Sequence, residues 1–272
     1  MDEVDGRDTP QPDHFRFLFD PRQTLTLLAG HRRRFGDAVA ALTSDELAAP
    51  SRCAGWTVGD VLRHGIWADG ALRRIWSGDR SMSKGFDPRT TPDEFVRAER
   101  AVADEDIRER YLSSTDTMIA ELSDAGSERF GVPSWSPAGR VPWWISAVHV
   151  GWDSTVHERD ILTPLGRSVE VPADEAATAL AYVLVLASFL GGREVLDATI
   201  GPVQLQVGTG PTTVRAAGPD ATDDDTVIVC TGDPAALTDA LTGRGQLVDV
   251  LVGPPGVAQR LNGLATFFTT AP

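Results

Sequence analysis

Basic charge is scarce in this chain of 272 residues: lysine occurs once, at Lys84, and Lys+Arg total 25 against 39 Asp+Glu, a formal net charge of −14. So acidic a chain disfavours partners bound by neutralising phosphate, which sets aside nucleic acid and anionic membrane surfaces. The excess of Arg over Lys, with abundant Ala and Gly, is the bias of a GC-rich genome rather than a physical requirement. No run of eighteen apolar residues is present, and the opening MDEVDGRDTPQPDHF has neither the basic start nor the apolar centre of a signal peptide. A cytoplasmic location follows as the expectation. Cysteine is nearly as rare, with Cys53 and Cys230 far apart and neither in a CxxC pair. Both read as free thiols of a reducing compartment, Cys53 as a small packed residue before a helix start.

What is present is apolar content enough for developed cores, at 42%. After an acidic, proline-containing lead over 1–15, read as disordered, PRQTLTLLAGHRRRFGDAVAALTSDEL places Leu25, Leu28, Phe35, Val39 and Leu42 at helical spacing. The Arg32, Arg33, Arg34 run inside it reads as that helix's solvated face. A second helix opens at Thr57, with Asp60 three residues on in a variant of the capping box, and runs to about Trp76. A third spans about Asp93 to Ser123, and a fourth runs from Pro142 to Leu165 after a Gly- and Pro-broken stretch in which PSWSP, 133–137, reads as a tight connection. Four helices so connected predict a bundle over 16–167. Beyond residue 168 one apolar helix (Ala176 to Leu190) is followed by β-patterned runs, VQLQV, TTVRAA, DTVIVCTG and LVDVLVG, with a helix opened by Asp233 and Pro234 and closed by Gly243 before the last. The second domain, 168–272, is therefore read as α/β.

Histidine is rationed too, at five, and two fall in HVGWDSTVHERD, 149–160. On a helix, His149, Asp153, His157 and Asp160 share roughly 80° of arc. Buried imidazoles and carboxylates need partners, and a divalent metal or a hydrogen-bonded network supplies them. Asp153 and His157, one turn apart, can reach one ion; a third ligand must come from a facing helix, and His64, in the middle of the second, is the leading candidate. Two histidines and a carboxylate would leave coordination positions open, an arrangement suited to catalysis. The alternative is an exposed helical pair and a packed imidazole. Trp56, Trp143, Trp144 and Trp152, near the ends of these motifs, read as packing.

SRCAGWTVGDVLRH in the first half, WDSTVHERDI in the second and LTGRG around Arg244 together resemble the mycothiol-dependent maleylpyruvate isomerase family, within the wider DinB-like four-helix metalloproteins. The resemblance runs from about residue 20 to the end. It implies a DinB-like four-helix bundle followed by a small sterol-carrier-like α/β domain, with His64, Asp153 and His157 as metal ligands and Asp160 as the outer partner that orients His157. The metal implied is divalent, zinc first, and the cosubstrate a low-molecular-weight thiol, mycothiol first, activated as its thiolate for cis–trans isomerisation or transfer on a small acidic electrophile. Arg244 would face that substrate or the thiol. One departure is Asp153, where the family pattern usually has glutamate; His149 then becomes a partner holding Asp153, an alternative ligand, or a packed residue. Rival readings are a mycothiol S-transferase in detoxification or natural-product biosynthesis and a non-catalytic small-ligand carrier that has lost its metal, either as monomer or homodimer.

Overall fold

The computed structural model describes residues 20–79, 81, 87, 90–136, 139–190, 204–209, 212–217, 227–253, 255, 256 and 258; the 1–15 lead lies outside them. Helix α1 (Pro21–Ala40) begins where the Asp20 side chain accepts from the N–H groups of Arg22 and Gln23 and Pro21 occupies the first turn. It does not run on to Leu47. Thr43 and Glu46 form a full capping box that starts a separate short helix, α2 (Ser44–Ala48). Helix α3 (Val58–Trp76) starts at the Thr57–Asp60 capping box that its sequence predicts.

The segment read as one third helix is two, α4 (Thr91–Glu99) and α5 (Asp104–Ser123). The break is held from outside: the buried Arg63 of α3 donates to the carbonyls of Glu99, at 3.1 Å, and Val102, at 2.6 Å. Three acidic residues in the first turn of α5 then suit its dipole. After α6 (Ser127–Phe130), the presumed tight connection is an antiparallel hairpin of β1 (Pro133–Ser136) and β2 (Gly139–Pro142). It leads directly into α7 (Trp143–Leu162), nearly every residue of which is buried.

Helix α8 (Ala173–Leu190) is followed by β3 (Gln204–Thr209), β4 (Thr212–Ala217) and β5 (Val227–Thr231), ordered β4-β3-β5 with β3 antiparallel to β4 and parallel to β5. Asp233 caps α9 (Pro234–Leu241), and Gly243, at φ 81°, takes the left-handed turn beyond it. LVDVLVG, read as a strand, opens instead as the short helix α10 (Leu247–Val250), and only Val252 bridges to Thr231. No helix among the described residues is long and apolar enough to cross a membrane.

Two apolar clusters fill the molecule. One joins Leu25, Leu28, Met118, Trp143 and Val148 to Leu180 of α8 and Leu237 and Leu241 of α9, running across the expected 167/168 division; the other gathers Phe35, Val61, Leu62, Ile107, Tyr111 and Ile161. Between α3 and α5 the approach is close enough that a Cβ at Gly65 would come within 2.7 Å of the Tyr111 ring.

The arginine run of α1 is not a solvated face. Arg33 is exposed, but Arg32 is buried on Asp69, and Arg34 bridges Glu158 of α7, at 3.0 Å, and Glu175 of α8, at 2.7 Å. His31 completes this knot, its Nδ1 2.9 Å from Glu175 and its Nε2 2.9 Å from the Ser154 hydroxyl. Burial raises the Glu175 carboxyl, but hydrogen bonds from His31 and Arg34 outweigh it and hold the group at about 2. The folded value lies below the usual 4.5, so its stabilisation is complete above that pH and fades as pH falls toward 2. Glu175→Gln is expected to cost about 3 kcal/mol at neutral pH. Urea unfolding from pH 7 downward should show the gap to wild type closing below pH 4.5; a gap that ignores pH would contradict this origin.

Candidate metal centre

The capping box fixes where α3 begins, and two further contacts brace it: Asp60 accepts from Arg100 at 2.8 Å and from Arg63 at 3.5 Å. His64, one turn beyond Asp60, is thereby aimed at the middle of α7. Its Nε2 lies 3.4 Å from one oxygen of Asp153, and His157 Nε2 lies 3.5 Å from the other. The imidazole rings meet edge to face at 4.9 Å, and one donor atom from each of the three residues lies within 4.8 Å of the others. Metal–ligand bonds of about 2.0–2.2 Å in a tetrahedral set give donor separations of about 3.3–3.6 Å. Each carboxylate–imidazole spacing falls in that range, one to each oxygen of Asp153, and the three side chains together make a candidate site for a divalent ion.

Two other groups of three metal-capable side chains occur among the described residues: Cys53, His157 and Asp160, and His31, Glu158 and Glu175. In both, an arginine already occupies the carboxylates, Arg244 on Asp160 and Arg34 on the glutamates. Asp153, by contrast, meets only the two imidazoles at ion-pair distance. The absence of an arginine on Asp153 among the described residues distinguishes the first group.

Asp160 stands behind His157. Its Oδ2 is 3.0 Å from His157 Nδ1, which places the Nδ1 proton in that hydrogen bond and leaves the Nε2 lone pair for the centre. The carboxylate is fully buried and also accepts from Arg244 Nε (3.0 Å) and Nη2 (2.7 Å), with Arg52 Nε at 3.3 Å. Burial alone would raise it; His157 and Arg244 hold it far below the usual carboxylate range. His64 lacks such support, since its Nδ1 is buried without a hydrogen-bond partner and the ring is instead flanked by Trp56 at 5.5 Å and Trp67 at 5.8 Å.

Arg244 lies against Asp160. Besides Asp160, its guanidinium donates to its own turn at the Thr242 carbonyl, 2.7 Å away. Cys53 is not mere packing: its thiol is 3.2 Å from Asp160 Oδ2, 3.8 Å from His157 Nδ1 and 3.7 Å from Arg244 Nη2. The Cys230 side chain lies outside the described residues. His149 stands apart from the group, packed against Trp152 and Tyr182 at 5.6 and 5.5 Å, and burial pushes its imidazole down to about 4. Sequence reasoning missed Arg52, whose backbone N–H also bonds the Asp160 carbonyl; it stands in SRCAGW beside Cys53, where its charge alone gave no signal.

Facing bundle helices that bring two imidazoles and one carboxylate to a point define a helical-bundle protein with a candidate metal centre. The family profile "Mycothiol maleylpyruvate isomerase N-terminal domain" matches residues 28–162, which include all three donors, and by that domain the chain belongs to this family. Among solved structures, the mycothiol-dependent maleylpyruvate isomerase is similar at a TM-score of 0.59 and 16% identity, over 88% of this chain and 94% of that one. A histidine-to-alanine mutant of that enzyme is similar at 0.56, with the same identity and coverage. At this identity the likeness is one of fold. No curated protein matches the chain.

Burial lowers the His157 imidazole, but Asp153, Asp160 and Cys53 outweigh it and raise its pKa well above the usual value; the same partnership, against burial, holds Asp153 well below its own. At neutral pH the metal-free site therefore keeps a proton on His157 that an incoming cation must displace. Zinc affinity, measured by competition with a chromophoric chelator, is expected to rise about tenfold per pH unit until that proton is lost. His64→Ala should abolish binding with helical content intact, and Asp160→Asn should weaken it about 10–100-fold. Affinity independent of pH would show that His157 is not a ligand.

Proposed function

We propose that this chain is a metal-dependent enzyme that activates a low-molecular-weight thiol, mycothiol first, for cis–trans isomerisation or thiol addition to a small electrophile. The observation that carries this reading is the meeting of His64, Asp153 and His157 at metal-ligand spacing with no arginine on Asp153. A divalent metal held there, zinc first, would lower the pKa of a bound thiol so that it reacts as thiolate at neutral pH. In this reading the bundle, 16–167, supplies the three ligands, and the C-terminal part, 168–272, supplies Arg244. Asp160 holds the Nδ1 proton of His157, and Arg244 and Arg52 keep Asp160 ionised. The indoles of Trp56 and Trp67 flank His64 and limit water there. Membership of the isomerase family and the shared fold support mycothiol over other thiols.

A second reading, thiol transfer to a neutral electrophile, is favoured by one observation: the arginine that would recognise an acidic substrate is committed to Asp160 and Thr242. Zinc-loaded protein should be assayed with mycothiol and maleylpyruvate, and separately with mycothiol and a bimane electrophile. Isomerisation without net loss of thiol supports the first reading, and stoichiometric consumption of thiol with the bimane supports the second. Either activity should fall to background in His64→Ala. Metal-loaded protein inert in both assays would favour a non-catalytic carrier.

A further inference from the structure

Behind the centre lies a buried ion pair that the chemistry above does not use. Arg32 of α1 and Asp69 of α3 are 3% and 0% exposed. Arg32 Nη2 bonds Asp69 Oδ2, Arg32 Nη1 donates to Ser154 Oγ at 3.2 Å, and Ser114 Oγ donates to the same Asp69 oxygen at 3.0 Å. A pair built only for cohesion would use both oxygens in a parallel fork. Here the donors converge on Oδ2, while Arg32 Nε, a donor, and Asp69 Oδ1, an acceptor, are buried with no partner among the described residues. Leaving each unmet costs about 1–3 kcal/mol.

Both residues line a small cavity of about 10 Å³ whose wall also includes Tyr111, Ser154, Asp153 and His157. That volume is on the scale of a single water, which needs two to four polar partners to stay ordered. On the reading that His64, Asp153 and His157 hold a metal, we propose that this cavity binds one ordered water, through which the Arg32–Asp69 pair positions the Asp153 carboxylate. The water accepts from Arg32 Nε–H, donates one proton to Asp69 Oδ1 and has its second for Asp153. Both orphaned atoms are satisfied by one molecule. Asp153, which no arginine touches directly, gains a fixed donor from the cavity, as outer partners do for ligating carboxylates. Burial works against the charge on Arg32, but Asp69 and, more weakly, Tyr111 and then Asp153 hold its basicity above the ordinary value.

Removing one partner would strand a buried charge and risk unfolding, so the informative variant is the double replacement Arg32→Met with Asp69→Leu. Three measurements decide: zinc affinity by chelator competition, the ligand-field spectrum of the cobalt-substituted protein, and the melting temperature of the metal-free protein. The double variant is expected to melt near wild type without metal, bind zinc about 10–100-fold more weakly and show an altered cobalt spectrum. Wild-type affinity and an unchanged spectrum in the double variant would make the pair purely structural. A crystal structure of the wild type at a resolution that places waters is the second arm: density bonded to Arg32 Nε, Asp69 Oδ1 and Asp153 supports the water, and a dry cavity overturns it, even if the double variant fails to fold. Wild type that takes up no zinc at all would fail the reading of the centre, and the crystal would still decide the water.

Discussion

A helix buried on every side that carries His157, Glu158, Arg159 and Asp160 in succession must find a partner for each. Successive residues turn by about 100°, so these four side chains leave α7 in four directions and no single neighbour can serve them. The rest of the structure is arranged around that demand. Asp153, one turn back on α7, and Asp160 meet His157, and α3 brings His64 to the same Asp153. Arg34 of α1 meets Glu158, Asp239 of α9 takes Arg159 at 2.6 Å, and the turn after α9 delivers Arg244 to Asp160. Any one of them left unpaired in that interior would cost several kcal/mol.

The same demand ties the C-terminal part to the centre. Asp239 accepts from both Arg159 and, at 3.0 Å, Arg52, while Arg52 and Arg244 share Asp160. Shifting α9 would therefore disturb the group that orients His157, although α9 touches none of the three donors. Such buried pairs add little net stability compared with apolar packing. What they supply is register, since each arginine has one carboxylate geometry that satisfies it.

Local chemistry explains what the sequence made legible. The Thr57–Asp60 and Asp233–Pro234 starts need only neighbours within one turn, and the spacing of Asp153, His157 and Asp160 along α7 needs only the helix. His64 came from asking which facing helix held a matching residue, and the structure brings it to within 3.4 Å of Asp153. The features that escaped are those whose cause lies far along the chain. Arg32 and Arg34 look solvated because Asp69, Glu158 and Glu175 stand 37, 124 and 141 positions away. The break between α4 and α5 depends on Arg63, and LVDVLVG has strand composition yet, among the described residues, no neighbouring strand beyond the bridge at Val252.

Arg244 shows what a motif can place and what only the fold can pair. The Gly-Arg turn does bring it beside the centre, but its N–H groups meet Asp160 and Thr242. The surrounding knot holds three arginines, Arg52, Arg159 and Arg244, against two aspartates, Asp160 and Asp239, and so carries one positive charge in excess. Largely buried charge is screened much less than charge at the surface. An anionic thiol at the proposed centre would be favoured by that field without touching an arginine. Geometry thus joins Arg244 to the centre through Asp160, the carboxylate that also meets His157.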